Sequence, residues 1–427
     1  MLAAWVMSDP VENLSTDWTA FDNAADRVFA GEDVYRPYDA EAEPLPYLYP
    51  PFALWLALPM ALFGFAGSFI YSALLTGICL VVGLRWLTRA RVGNSPTSSG
   101  VAVDGSTGVA VDGSTGVAVD GSTGVAVDGS TGVIVGLASG AAISSTLIGQ
   151  YSGIYALAVG GAAHAYSKDR QGLAGALLAL LWLKPNLAIA VPVVLLWSRS
   201  WRVLRTFALA TTVLALSSLP FGLDQWSGFA SNVSMMAELQ EDGVVPFRKM
   251  VTILGSAQTT FGLDPSSIGA LAIWLVSTAV LGVAVLELWT RRSLDESPIR
   301  AFAALSLFVV AANPRLYFYD STLVLLGGVG LWMAANVNGN AFARRMMPPL
   351  AVLTWFFLWG GLFVSLNRVV GPLTGLMLVV SAVDHRFVPQ VKKSTKIRDY
   401  HLFAVDVDEA GDADLDSIGV IPPAEAA

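Results

Sequence analysis

A few polar and ionisable residues interrupt an otherwise oily chain. Asp17 opens an acidic, aromatic segment ahead of the first long apolar run. Gln150 lies in Gly149-Gln150-Tyr151 and Lys184 in Leu183-Lys184-Pro185-Asn186, each a turn between two apolar stretches. Arg248 and Lys249 fall in the long loop 222–265, while Arg315 and Asp320 bracket the turn that begins at Asn313. Ionisable groups at membrane depth are costly, so they mark function by default. A carboxylate able to act as a base, with several cations, makes a pocket for a phosphorylated lipid.

Each of these residues also has a plainer reading. Asp17 can simply occupy the first turn of a helix, where negative charge is favoured. Lys184 can snorkel from a broken helix to the headgroups. Arg248 and Lys249 can be loop charges, Gln150 can satisfy a helix end, and Arg315 with Asp320 can form an outer-surface pair. Asp22 and Asp26 read as solvated helix positions. His164 reads as a packing residue, with no second histidine near enough in sequence to suggest a metal site.

Helices must position them. The 427 residues are 54% hydrophobic and only 14% charged, where a soluble protein carries about a quarter charged residues. Long apolar runs recur, the signature of membrane-spanning helices. The expected fold is all-α, a polytopic transmembrane bundle. Its spans are read at 67–87, 133–150, 151–167, 171–183, 187–198, 203–221, 266–288, 299–313, 318–335, 346–364 and 367–383. The pair flanking Lys184 is too short to cross a core of about 30 Å as straight helices. It must be broken, buried in protein, or bordering a cavity. Residues 52–63 are also too short, and read as an interfacial or half-inserted helix. Before them, Thr16 caps and Gly31 ends a short polar helix at about Asp17 to Phe29. A proline-interrupted loop then leads to Tyr49-Pro50-Pro51.

Positive charge sets the orientation. With the N-terminal segment outside, the inner loops and tail collect most of the 25 lysines and arginines, among them Arg85, Arg89, Lys168, Arg170, Arg202 and Arg291. That follows the positive-inside rule. Residues 1–66 thus form an outer segment and 67–385 a multi-pass bundle in the cell membrane. Residues 93–132 are an inner linker, and 386–427 a cytoplasmic tail. The net charge of −8 gives no sign of a nucleic-acid partner, because the acids sit in loops and tail. Cys79, the sole cysteine, lies in an apolar run, so no disulfide framework is expected. Met1 to Met7 is too short for a signal peptide or a span, and reads as the last turns of a longer helix. VAVDGSTG recurs in tandem from Val101 to Gly132. It lacks the Lys-Ser/Thr of a phosphate loop and the hydrophobic bulk of a solenoid, so it reads as a flexible linker.

The ordered set DWTAFDNAADRVFAGEDVY, YLYPPFALWLALPMALFG, a Gly-Gln turn, WLKPNLAI and AANPRLYFYDSTLVLL resembles glycosyltransferase family 87. These are polyprenyl-phosphate-mannose-type transferases of the C-type superfamily. The resemblance runs over residues 15–385 apart from the repeats; the family's first span has no counterpart here. It implies an inverting hexosyltransferase, with mannose the expected sugar. The donor would be a polyprenyl- or dolichyl-phosphate sugar, and the acceptor a glycan or glycolipid at the outer face. Asp17 would be the general base on the acceptor hydroxyl. Lys184, Arg248 and Lys249 would neutralise the phosphate, joined at the substrate site by Arg315. Gln150 would hydrogen-bond the sugar, and Trp18 or Tyr49 would stack on it. No metal or cofactor is implied, because the leaving group is already anionic and cations can neutralise it. Direct displacement needs no carboxylate nucleophile. A transporter or lipid flippase also builds sites from broken helices, and a structural membrane subunit is the third class. Charged turns gathered on one side, with no evident inverted repeat, weigh against the transporter.

Overall fold

Prolines and short polar turns cut the apolar chain into helices. In a computed structural model the described residues are 16–36, 46–90, 134, 136–148, 150–241, 250–264, 267–360 and 366–387. Among them the regular structure is helical, with one isolated antiparallel bridge between Met250 and Tyr317. The all-α expectation therefore holds. Residues 93–132, the tail beyond 387, and Arg248 and Lys249 lie outside the described residues.

Helix α1 (Thr16–Ala30) buries Trp18, Phe21, Ala24 and Ala25 while Asp26 stays exposed. Gly31 ends it in the left-handed region, with φ +69°. Its N–H reaches Val28 O and the Glu32 N–H reaches Arg27 O, the paired bonds of a glycine-terminated helix. Leu54–Ala57 (α2) follows, flanked by 3-10 turns at Pro51–Ala53 and Leu58–Leu62. This broken apolar element, Pro51–Leu62, is as short as expected.

Next come α3 (Phe65–Thr88), α4 (Gly140–Ile148) and α5 (Ser152–Ser167). Helix α6 (Gln171–Leu178) tightens into a 3-10 turn, Ala179–Leu183, before α7 (Pro185–Ala188) and α8 (Ala190–Trp197). Then follow α9 (Trp201–Ser217), α10 (Asp224–Glu241), α11 (Ile253–Phe261), α12 (Ile268–Leu288) and α13 (Arg291–Glu296). The last are α14 (Pro298–Ala311), α15 (Thr322–Asn338), α16 (Ala341–Gly360) and α17 (Val370–Phe387).

Among the described residues three stretches are long and apolar enough to cross a membrane: Ala66–Thr88, Trp201–Phe221 and Ile268–Leu288. They leave apolar faces uncovered, as at Ile70, Leu74 and Ile78 on α3 and Leu209, Val213 and Leu216 on α9. In water such stripes would drive association; in lipid they are the face the solvent requires. Gln171–Leu183 and Pro185–Trp197 are shorter, and they break at Lys184 as expected. Two expectations are corrected. Over 133–150 the continuous helix covers only Gly140–Ile148, and the region taken as loop 222–265 contains α10 and α11.

Glycines let α3 and α5 meet backbone to backbone. A Cβ on Gly160 would collide with the Gly83 carbonyl, and one on Gly153 with the Thr76 carbonyl. Small residues permit such close crossings in membranes. The far ends of three other helices are clasped by charge. Arg300 on α14 lies 3.3 Å from Asp384 on α17, whose other oxygen accepts the Asn340 N–H at 2.7 Å, just before α16.

Candidate functional site

Proline builds the first part of the site. A residue before proline is pushed out of the α region, and Lys184 is extended at φ −133°, ψ 91° while Pro185 starts α7. The Lys184 side chain forms an ion pair with Asp320, which lies 136 positions away. Asp320 is wholly buried, whereas the Lys184 side chain is 20% exposed. The negative charge is sealed and the positive one sits at a rim. The plainer reading of Arg315 and Asp320 as a pair does not hold, because Asp320 pairs with Lys184.

A second proline turn faces the first. Asn313 Oδ1 accepts the Arg315 N–H at 2.9 Å, a local bond typical of asparagine at a turn. Asn186 Nδ2 donates to the same oxygen at 3.2 Å and to Arg315 O at 3.3 Å. Asn313 Nδ2 donates to Asn186 O at 3.4 Å. A third segment joins through the Val251 N–H, which donates to Leu316 O at 3.0 Å. Arg315 is half-buried, and among the described residues its guanidinium makes no hydrogen bond or ion pair. Asp320 Oδ1 is buried without a hydrogen-bond partner among the same residues.

The outer segment packs through aromatics. Phe21 on α1 meets Tyr49 and Tyr151 at centroid distances of 4.4 Å and Tyr47 at 5.4 Å. Tyr35 OH donates to Tyr49 O at 2.5 Å, and Tyr49 OH donates to Gln150 Oε1 at 2.6 Å. Thr76 Oγ1 on α3 donates to Gln150 O at 2.6 Å, and Asn232 Nδ2 on α10 donates to Tyr47 O at 3.2 Å. Gln150 and Tyr49, candidates for sugar contacts, are therefore buried and bonded to each other. Trp18 is buried too, edge-on to Phe69 at 5.8 Å.

Asp17 lies in the first turn of α1, but its side chain is outside the described set. Asp22, expected to be solvated, is half-buried. Burial pushes its carboxyl above the usual range; a hydrogen bond with Ser68 opposes the shift and neighbouring Asp26 adds to it. Its place was legible in the spacing. Trp18, Asp22 and Ala25 fall on one helical face, so the aspartate borders the buried stripe. Among the described residues no group of three His, Cys, Asp or Glu side chains is arranged to hold a metal.

The profile of glycosyltransferase family 87 matches residues 47–314, more than half of the chain. The protein therefore belongs to that family and is a membrane glycosyltransferase. No curated protein and no solved structure matches it. The matched region contains Tyr49, Gln150, Lys184, Arg248 and Lys249; Asp17, Arg315 and Asp320 flank it.

Proposed function

We propose that this family 87 member is an inverting hexosyltransferase, with mannose the expected sugar. It takes that sugar from a polyprenyl- or dolichyl-phosphate donor and places it on a glycan or glycolipid at the outer face. The observation that carries this reading is the Lys184–Asp320 pair where two proline turns meet, with the Arg315 guanidinium, unengaged among the described residues, in the second turn. A sealed carboxylate orients a rim cation, and fixed cations are what a departing phosphate requires.

In this mechanism the acceptor oxygen attacks the anomeric carbon as Asp17 takes its proton. The bond from that carbon to the phosphate oxygen breaks, and its electron pair leaves with the polyprenyl phosphate. Lys184 and Arg315 meet the growing charge, with Arg248 and Lys249 assigned beside them. Tyr49 and Gln150 act by position, tying the outer segment to α3 and α5.

Transfer of labelled mannose from polyprenyl-phosphate-mannose in membranes tests the reading. Asp17→Asn should lose on the order of 100-fold or more in rate while remaining folded; full activity would remove Asp17 as base. A panel of lipid-linked donors that yields no transfer to any acceptor overturns the donor class. Sidedness has its own test. With Cys79 replaced, a cysteine at exposed Ser234 should react with an impermeant maleimide in intact cells, and one at Ser114 only after permeabilisation.

A further inference from the structure

Helix α5 begins next to Gln150 and ends at Ser167, about 24 Å away. At that far end a cavity of about 460 Å³ opens among α3, α5 and α6. Trp86, His164, Lys168, Arg170, Leu173 and Leu177 line it. A neighbouring cavity of about 450 Å³ adds Arg89, Ser167 and Asp169 to the same mouth. Among the described residues the charged groups of Arg89, Lys168 and Arg170 make no hydrogen bond or ion pair. Asp169 is the only carboxylate among the lining residues. The three basic residues are exposed at this mouth beside a single acid, a net positive rim that attracts an anion.

The walls limit what the anion can be. Trp86 stacks with His164, centroids 6.4 Å apart and planes 12° from parallel, an amphipathic surface of the kind found at headgroup level. His164 Nδ1 is buried without a hydrogen-bond partner among the described residues. Beyond the charged mouth, Leu173 and Leu177 stand one turn apart on α6, and Leu173 is 48% exposed. The positive-inside tendency accounts for basic loops, but not for basic groups set over a hollow with an aromatic wall and an apolar floor.

We infer that this cavity binds the phosphate headgroup of an anionic membrane lipid, its acyl chains lying along Leu173 and Leu177. The site is separate from the sugar-transfer site, at the opposite end of α5, and does not depend on the transfer mechanism.

Full-length protein in nanodiscs of phosphatidylglycerol mixed with phosphatidylcholine, analysed by native mass spectrometry after release, tests this. The wild type should keep phosphatidylglycerol in preference to phosphatidylcholine. R89Q/K168Q/R170Q should lower that preference at least tenfold, since each basic group near a lipid surface is worth roughly fivefold. Asp169→Asn should raise it. Asp169 has φ +58°, a conformation asparagine also accepts, so the backbone is spared. Equal preference in the wild type and the triple variant overturns the inference. So does a loss of lipid in Asp169→Asn, which would mark a structural effect. Release by millimolar inorganic phosphate, independent of acyl chains, would make the occupant a free anion and overturn the lipid.

Discussion

Two buried ion pairs sit at opposite ends of α14 and treat their carboxylates differently. At the Arg300–Asp384 pair both side chains are sealed, at 6% and 1% exposure, and both carboxylate oxygens are engaged. Asn340, one of the partners, also caps α16 by accepting the Ala343 N–H at 2.9 Å. That arrangement fastens three helices through the carboxylate, although Arg300 Nη2 is buried without a hydrogen bond among the described residues. At the Lys184–Asp320 pair one partner is sealed and the other is at a rim, and one carboxylate oxygen is left without a hydrogen bond among the described residues. The clasp engages both oxygens of its carboxylate, whereas the site leaves one carboxylate oxygen in reserve among the described residues.

The sharpest contrast removes each pair whole, which strands no charge and is often neutral for folding. K184M/D320L should fold yet lose on the order of 100-fold in transfer rate, while R300M/D384L should fold and keep most activity. Equal losses in two folded proteins would erase the distinction. Breaking one partner is a stability experiment. Lys184→Met and Arg300→Met should each cost about 3–5 kcal/mol in thermal unfolding, by stranding a buried carboxylate. The second should fall at the lower end, because the Asn340 N–H still serves Asp384.

Asn186→Ala removes the two bonds its side chain donates to the second proline turn, leaving the Asn313 Nδ2 bond to its backbone oxygen, and should cost about 1–2 kcal/mol. Its transfer defect should be milder than that of K184M/D320L. The smallest effect concerns Asp22. Its folded carboxyl is raised by burial, so the folded state holds a proton more tightly than the unfolded chain does. Stability from this group is present below the ordinary carboxylate range and is lost as pH rises through the raised value. Asp22→Asn should therefore be slightly more stable than wild type at neutral pH, with the advantage vanishing in acid and transfer unchanged.

The sequence showed α1 and its glycine stop, the apolar runs, and the break at Lys184-Pro185, because each is written in neighbouring residues. It did not show α10. DQWSGFASNVSMMAELQE has weak helical patterning, and the segment is held by distant contacts such as Asn232 to Tyr47 O, 185 positions apart. The partner of Asp320 was hidden for the same reason. Arg315 is near in sequence, yet the fold brings Lys184 across from another turn. Arg300 and Asp384 carried a usable signal, since each is an ionisable residue beside an apolar run, where a buried partner is the expectation. Only the pairing needed the structure.

The 3-10 turn at the end of α6 sets a depth. Eight α-helical residues and five 3-10 residues rise about 22 Å, against a hydrocarbon layer of about 30 Å. For a helix set along the bilayer normal with Gln171 at one boundary, Lys184 would stop below the other instead of emerging into water. The lipid-linked donor proposed above would then reach the ammonium without leaving its leaflet. Encounter becomes a search in two dimensions, and its frequency follows the donor's surface density in the membrane.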